Sequence, residues 1–236
     1  MLSFFRKIRR GLLSEHKISK YLLYAFGEIV LVVIGILIAV QINGCNEDRK
    51  NRSKEKALLI ELHKESLENL KQFERNKTAY LESLKSCSVV LANVGNIDER
   101  ASLDSIMAFG PGMFRGITFD PSNGVVESLI STGEIQLIQN DSLRNYIITW
   151  KDVLKDFQEE EHNSRSLWKG QIEPYLIEHG DFLNQGNPKN IELFKDARFL
   201  NMIARRKFYV TNILNAMENE SIEQNLKGMV RLTSYE

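Results

Sequence analysis

The sequence predicts an all-α protein: one N-terminal transmembrane helix followed by an antiparallel bundle of long helices. Three observations predict it. Residues 21–42 form the only segment long and apolar enough to cross a bilayer. Beyond it, apolar residues recur at steps of three and four with little strand-like alternation. No proline interrupts Asn51–Val94, so a helix of about forty residues fits there.

Composition narrows the class further. The 236 residues carry 31 basic and 31 acidic side chains, so no global basic field exists for nucleic acid, which is not an expected partner. Cys45 and Cys87 make neither a disulfide framework nor a zinc set. Joined by one helix at about 1.5 Å per residue they would stand about 60 Å apart, so two free thiols are expected.

Residues 1–20 come first in the chain. Leu2, Phe4, Phe5, Ile8, Leu12 and Leu13 alternate with Arg6, Lys7, Arg9 and Arg10. This basic amphipathic segment, extended by Lys17 and Lys20, is read as a cytoplasmic collar on anionic lipid headgroups.

Residues 21–42, YLLYAFGEIVLVVIGILIAVQI, would span about 33 Å as a helix, against about 30 Å of hydrocarbon. Tyr21 and Tyr24 suit the interfacial aromatic belt. Glu28 lies near the N-terminal end, where a carboxylate reaches headgroups or the basic collar; a partner helix or proton traffic is its alternative use. Gly35 and Ala39 form a small-xxx-small pair that permits close helix approach. An uncleaved anchor is expected, with lipidation at Cys45 of the lipobox-like Ile42-Asn43-Gly44-Cys45 as the competing reading. The charge count on the two flanks is nearly balanced and favours a cytoplasmic N-terminus by a small excess.

Residues 43–236 read as a soluble helical domain, expected in the periplasm. Leu59, Leu62, Ser66, Leu70, Phe73, Tyr80, Leu84 and Leu91 stripe the first helix, which Gly95-Asn96 stops. Ala101–Phe109 is a short helix capped by Asp98 or Ser102. Phe109–Gly112 is a turn, and Ile117-Thr118-Phe119 is extended. A helix with Val125, Val126, Leu129 and Ile130 ends at Gly133. Asn140-Asp141 caps the next, striped by Leu143, Ile147, Trp150, Leu154 and Phe157, then Trp168, Ile172 and Tyr175, with Pro174 bending or restarting it. A loop over 180–190 contains Gly186-Asn187-Pro188. Phe199, Ile203, Val210, Ile213 and Met217 line a further helix, and Ile222–Leu232 adds a last one.

The run FFRKIRRGLLSEHKISKYLLYAFGEIVLVVIGILIAVQINGCNEDRKNR resembles the N-terminal signature of an uncharacterised bacterial single-pass membrane-protein family, a domain of unknown function. The telling parts are Lys20–Ala25, Gly27-Glu28-Ile29 and Val33–Ala39. Leu129–Gly133 and Leu137–Arg144 are similar to that family's soluble part, although the specific motif is mainly residues 4–52. The family's usual tryptophan is replaced here by Cys45. The resemblance implies an inner-membrane protein with an exported helical domain, and brings no activity or site residues.

Chemical signatures are sparse, and no catalytic, cofactor-binding or metal residue is expected. Glu159 and His162 have the Glu-x-x-His spacing of a di-iron half-site, but no second copy exists. The run Gln158–His162 therefore reads as a solvated acidic face. Cys87 has no nearby histidine to activate it. Gly110-Pro111-Gly112 lacks a phosphate-loop continuation. Arg205-Arg206-Lys207 reads as an exposed basic helix face. The expected function is that of a non-enzymatic, membrane-anchored interaction or scaffold protein, binding another envelope protein or itself. A sensor-like module is the second reading and a membrane-tethered hydrolase the third.

Overall fold

Helix is the only regular secondary structure among the described residues. The computed structural model describes residues 18–181, 183–184, 187–219 and 221–234, with the side chains of residues 18–21 excepted. The expected amphipathic helix Leu2–Leu13, the collar residues Arg6, Lys7, Arg9, Arg10 and Lys17, the side chains of Lys20 and Tyr21, and Gly186 lie outside the described set.

Helix α1 spans Ile18–Asn93, with no proline to break it, and tightens into a 3₁₀ turn at Val94–Asn96. The chain forms two compact units, residues 1–56 and 57–236. In the first, large apolar side chains such as Leu23, Leu31, Val40 and Ile42 are exposed. Its helix is long and apolar enough to cross a membrane.

The second unit adds α2 (Arg100–Phe109), α3 (Gly124–Ser131), α4 (Asp141–Leu167), α5 (Glu173–His179), α6 (Pro188–Glu192), α7 (Ala197–Asn219) and α8 (Ile222–Thr233). The local signals act through identifiable groups. Gly133 takes φ +75° just past α3, where glycine is the residue that pays least. The Asn140 side chain accepts from Leu143 N at 3.0 Å and caps α4. Between α4 and α5 the chain makes a π-turn over Trp168–Ile172, in which Glu173 N reaches back to Trp168 O. Pro174, which has no N–H to offer, follows at once. The cap expected for α2 is corrected. Glu99, not Asp98 or Ser102, stands at its N-cap without a side-chain hydrogen bond, and Ser102 is buried instead.

Two apolar clusters make the core. Phe73 and Tyr80 of α1 meet Trp150 and Phe157 of α4 in one, and Cys87, Met113, Ile172 and Phe199 belong to the other. Helix α4 packs on both α7 and α8.

Residues 115–123 form no helix and no strand. They run along α1 in the opposite sense: Arg115 pairs with Glu82, Ile117 O faces Tyr80, Thr118 O faces Asn76, and Ser122 faces Asn69. Side chains thus satisfy backbone groups that a sheet would pair in a ladder. Asn69 does so twice, donating to Ser122 O at 2.7 Å and accepting from Ser122 N at 2.9 Å. Just before this strap, Gly112 crosses α1 so closely that a Cβ would stand 2.2 Å from Ser86 Oγ.

Candidate functional site

Two charged residues interrupt the apolar stripes of α4 and α7, and both are buried. Glu161 follows Phe157 by four positions and is 2% exposed. Arg206 follows Ile203 by three and is 4% exposed. This corrects two readings of the sequence: Glu161 leaves the solvated acidic face to its neighbours, and Arg206 leaves the exposed basic one. The periodicity carried the signal, because each sits in register with core residues.

Glu161 lies beneath the strap. Its Oε1 is 2.7 Å from Tyr80 Oη, and Phe119 N donates to Oε1 at 3.0 Å and Oε2 at 3.1 Å. Burial is the main cause that pushes its pKa up to about 7, opposed by the Tyr80 and Phe119 hydrogen bonds and by Arg165. Burial also raises the Tyr80 phenol, and Glu161 adds to it.

Arg206 holds the strap's start. Its Nε donates to Met113 O and its Nη2 to Arg115 O at 2.6 Å, so the fork straddles Phe114. The guanidinium also lies 5.6 Å from the centroid of Trp168. Burial lowers its pKa, and the group remains a cation in the physiological range.

Phe114 and Trp168, both beside Arg206 and with ring centroids 5.8 Å apart, also line an apolar cavity of about 530 Å³. Leu176, Leu193, Phe194 and Phe199 add to the lining, with Glu173, Asp181 and Asn190 as its polar members. Met107 and Ile177 also line it and are 49% and 68% exposed, so its rim is apolar too. A cavity of this size and lining suits a small apolar molecule or an inserted side chain. Sequence reasoning missed the cavity because its walls come from α2, α5, α6 and α7, joined only in the fold.

The described residues singled out from sequence are spread over several helices. Gly35, Ala39, Tyr24 and Glu28 lie on α1 in the first unit, and a Cβ at Gly35 would meet nothing within 4 Å. His63 Nδ1 is 3.0 Å from Thr233 Oγ1, whereas exposed His162 has Ser166 Oγ at 3.4 Å. Cys87 is buried and its thiol pKa is raised by that burial, and Cys45 is exposed. Among the described residues no three His, Cys, Asp or Glu side chains are placed to hold a metal ion.

A family model matches residues 28–205, that of a family of unknown function, DUF6090. The chain belongs to DUF6090. No curated protein and no solved structure matches it. The resemblance read from residues 4–52 thus holds at the level of an uncharacterised family, but most of the DUF6090 match falls in the second unit. Tyr80, Phe119, Glu161 and every residue lining the cavity lie inside it, while Arg206 and α8 lie beyond its end.

Proposed function

We propose that this DUF6090 protein is a non-enzymatic, membrane-anchored interaction protein of the bacterial inner membrane. The N-terminus is cytoplasmic, residues 21–42 span the bilayer, and the helical domain is an antiparallel bundle on the periplasmic side. The observation that carries the interaction reading is the apolar cavity with its exposed apolar rim at Met107 and Ile177. Exposed apolar side chains from Leu22 to Ile42 support the anchor. Of the candidates for chemistry read from the sequence, Cys87 is buried, His63 is bonded to Thr233, and His162 faces solvent beside Ser166.

Photo-crosslinking in native membranes tests the interaction. A photoreactive residue at Ile177 or Met107 is expected to capture one defined envelope protein or a second copy of this chain, identified by mass spectrometry. The same probe at exposed Leu81, which does not line the cavity, is expected to capture neither. Equal capture at all three positions would sink the proposed interface.

The two cysteines report on topology. Cys45 is exposed and Cys87 buried, so an impermeant maleimide is expected to label one site per chain. On intact spheroplasts that label appears without lysis if the domain is periplasmic, and Cys45→Ser abolishes it. Labelling only after lysis would reverse the orientation, and no labelling in either state would point to acylated Cys45.

A further inference from the structure

The hydroxyl of Tyr80 has one proton and two acceptors. Its Oη lies 2.7 Å from Glu161 Oε1 and 2.8 Å from Ile117 O. If Glu161 is ionised, the phenolic proton serves either the carboxylate or the carbonyl, and the other oxygen faces a lone pair at hydrogen-bond distance. A proton on Glu161 resolves the conflict. Oε1–H then donates to Tyr80 Oη, Tyr80 donates to Ile117 O, and Oε2 accepts from Phe119 N at 3.1 Å. All the partners are then matched donor to acceptor, in a site where an unmatched group is costly.

We infer that Glu161 is a buried proton-binding site, and that its bound proton latches residues 115–123 to α1 and α4. Facing it are Tyr80 from α1, Asp120 from the strap, Arg165 from α4 itself, and from α7 Arg206, whose charge acts on Tyr80. Of the charged groups facing it, Asp120 favours the proton and Arg165 opposes it, while burial outweighs both. Among the described residues none of the basic groups hydrogen-bonds to Glu161, and Arg206 is occupied by two strap carbonyls. The latch closes on the same strap whose N-terminal approach, Gly110–Phe114, gives Gly110, Pro111 and Phe114 to the cavity wall. Loss of the proton therefore loosens a segment continuous with that wall. The inference concerns the folded domain and stands whether or not the proposed interface is correct.

The pH dependence has a definite sign. A carboxyl group whose folded pKa lies near 7, against an ordinary 4.5, binds more proton folded than unfolded between those values. Its stabilising contribution is complete below the unfolded value and is lost as pH rises through the folded one.

The test compares the full chain in detergent micelles with Glu161→Gln, by chemical denaturation at about pH 5 and about pH 8. Glutamine reproduces the protonated acid, with an N–H for Tyr80 Oη and an oxygen for Phe119 N. The ratio of the two unfolding constants, wild type over Glu161→Gln, is expected to rise roughly 70-fold across that range, leaving the variant the more stable at high pH. Other titrating groups cancel in this ratio. An infrared carbonyl band of a protonated carboxyl at about pH 6, absent from Glu161→Gln, is the second expected result. A ratio unchanged with pH, or no such band in the wild type, would overturn the inference; a variant that fails to fold leaves the infrared measurement to decide it.

Discussion

Arg206→Met lowers the stability of the folded domain by roughly 2–4 kcal/mol, measured by denaturant unfolding of the full chain. The reason lies in what the guanidinium leaves behind. Met113 O loses its donor in a buried setting, where an unpaired carbonyl costs about 1–3 kcal/mol. Arg115 O loses its donor in a part-buried one, where water replaces some of the loss. Removing a buried charge returns part of that, since Arg206 forms no salt bridge among the described residues. Arg206→Lys is expected to recover less than half of the loss, because one flexible ammonium does not reproduce a planar fork across two carbonyls. Wild-type stability in Arg206→Met would show that the fork does not hold the strap.

Arg206 also shows what the sequence made legible and what it hid. Its position was readable: Phe199, Ile203, Val210, Ile213 and Met217 set a stripe, all five are buried, and Arg206 falls within it. Its partner was not, because Met113 and Arg115 lie 93 and 91 residues away and offer only backbone carbonyls. A backbone acceptor has no residue-type signature. Elements set by local chemistry were foreseen closely. Asn140 caps α4, Gly133 ends α3, Gly95-Asn96 ends α1, and Phe109–Gly112 leads into a 3₁₀ turn. The cap of α2 was misread because Asp98 and Ser102 have the right side chains while the backbone turns helical after Glu99. Glu161 was misread because three consecutive glutamates look like solvent-facing surface, although only one of every three or four helix positions points inward.

Phe119→Ala costs roughly 3–5 kcal/mol, the range for emptying a fully buried phenylalanine site. Phe119 is the strap's apolar anchor. Its ring stands edge-on to Phe73 at 5.6 Å and to Phe157 at 6.0 Å, joining α1 to α4 through a residue of neither. The loss is expected to be local before it is global. Hydrogen exchange at Ser122 and Val125, whose amides bond to Asn69 and Glu65, should accelerate more than exchange within α4 or α7. A loss under about 1 kcal/mol would mean that the neighbouring rings collapse into the space. Uniform acceleration through α4 and α7 would instead make strap and helices a single cooperative unit.

The wide turn at Trp168–Ile172 holds one residue more than an ordinary helical turn would. Each residue advances an α-helix by about 100°, so removing one there would swing α5 by that angle relative to α4. Leu176 and Ile177, which now border the cavity, would then point elsewhere. The spacing of the chain at this turn, separately from the identity of any side chain, selects the residues that face the cavity. A single-codon deletion or duplication between α4 and α5 would therefore re-address the α5 side of the cavity in one step, where substitution would need several.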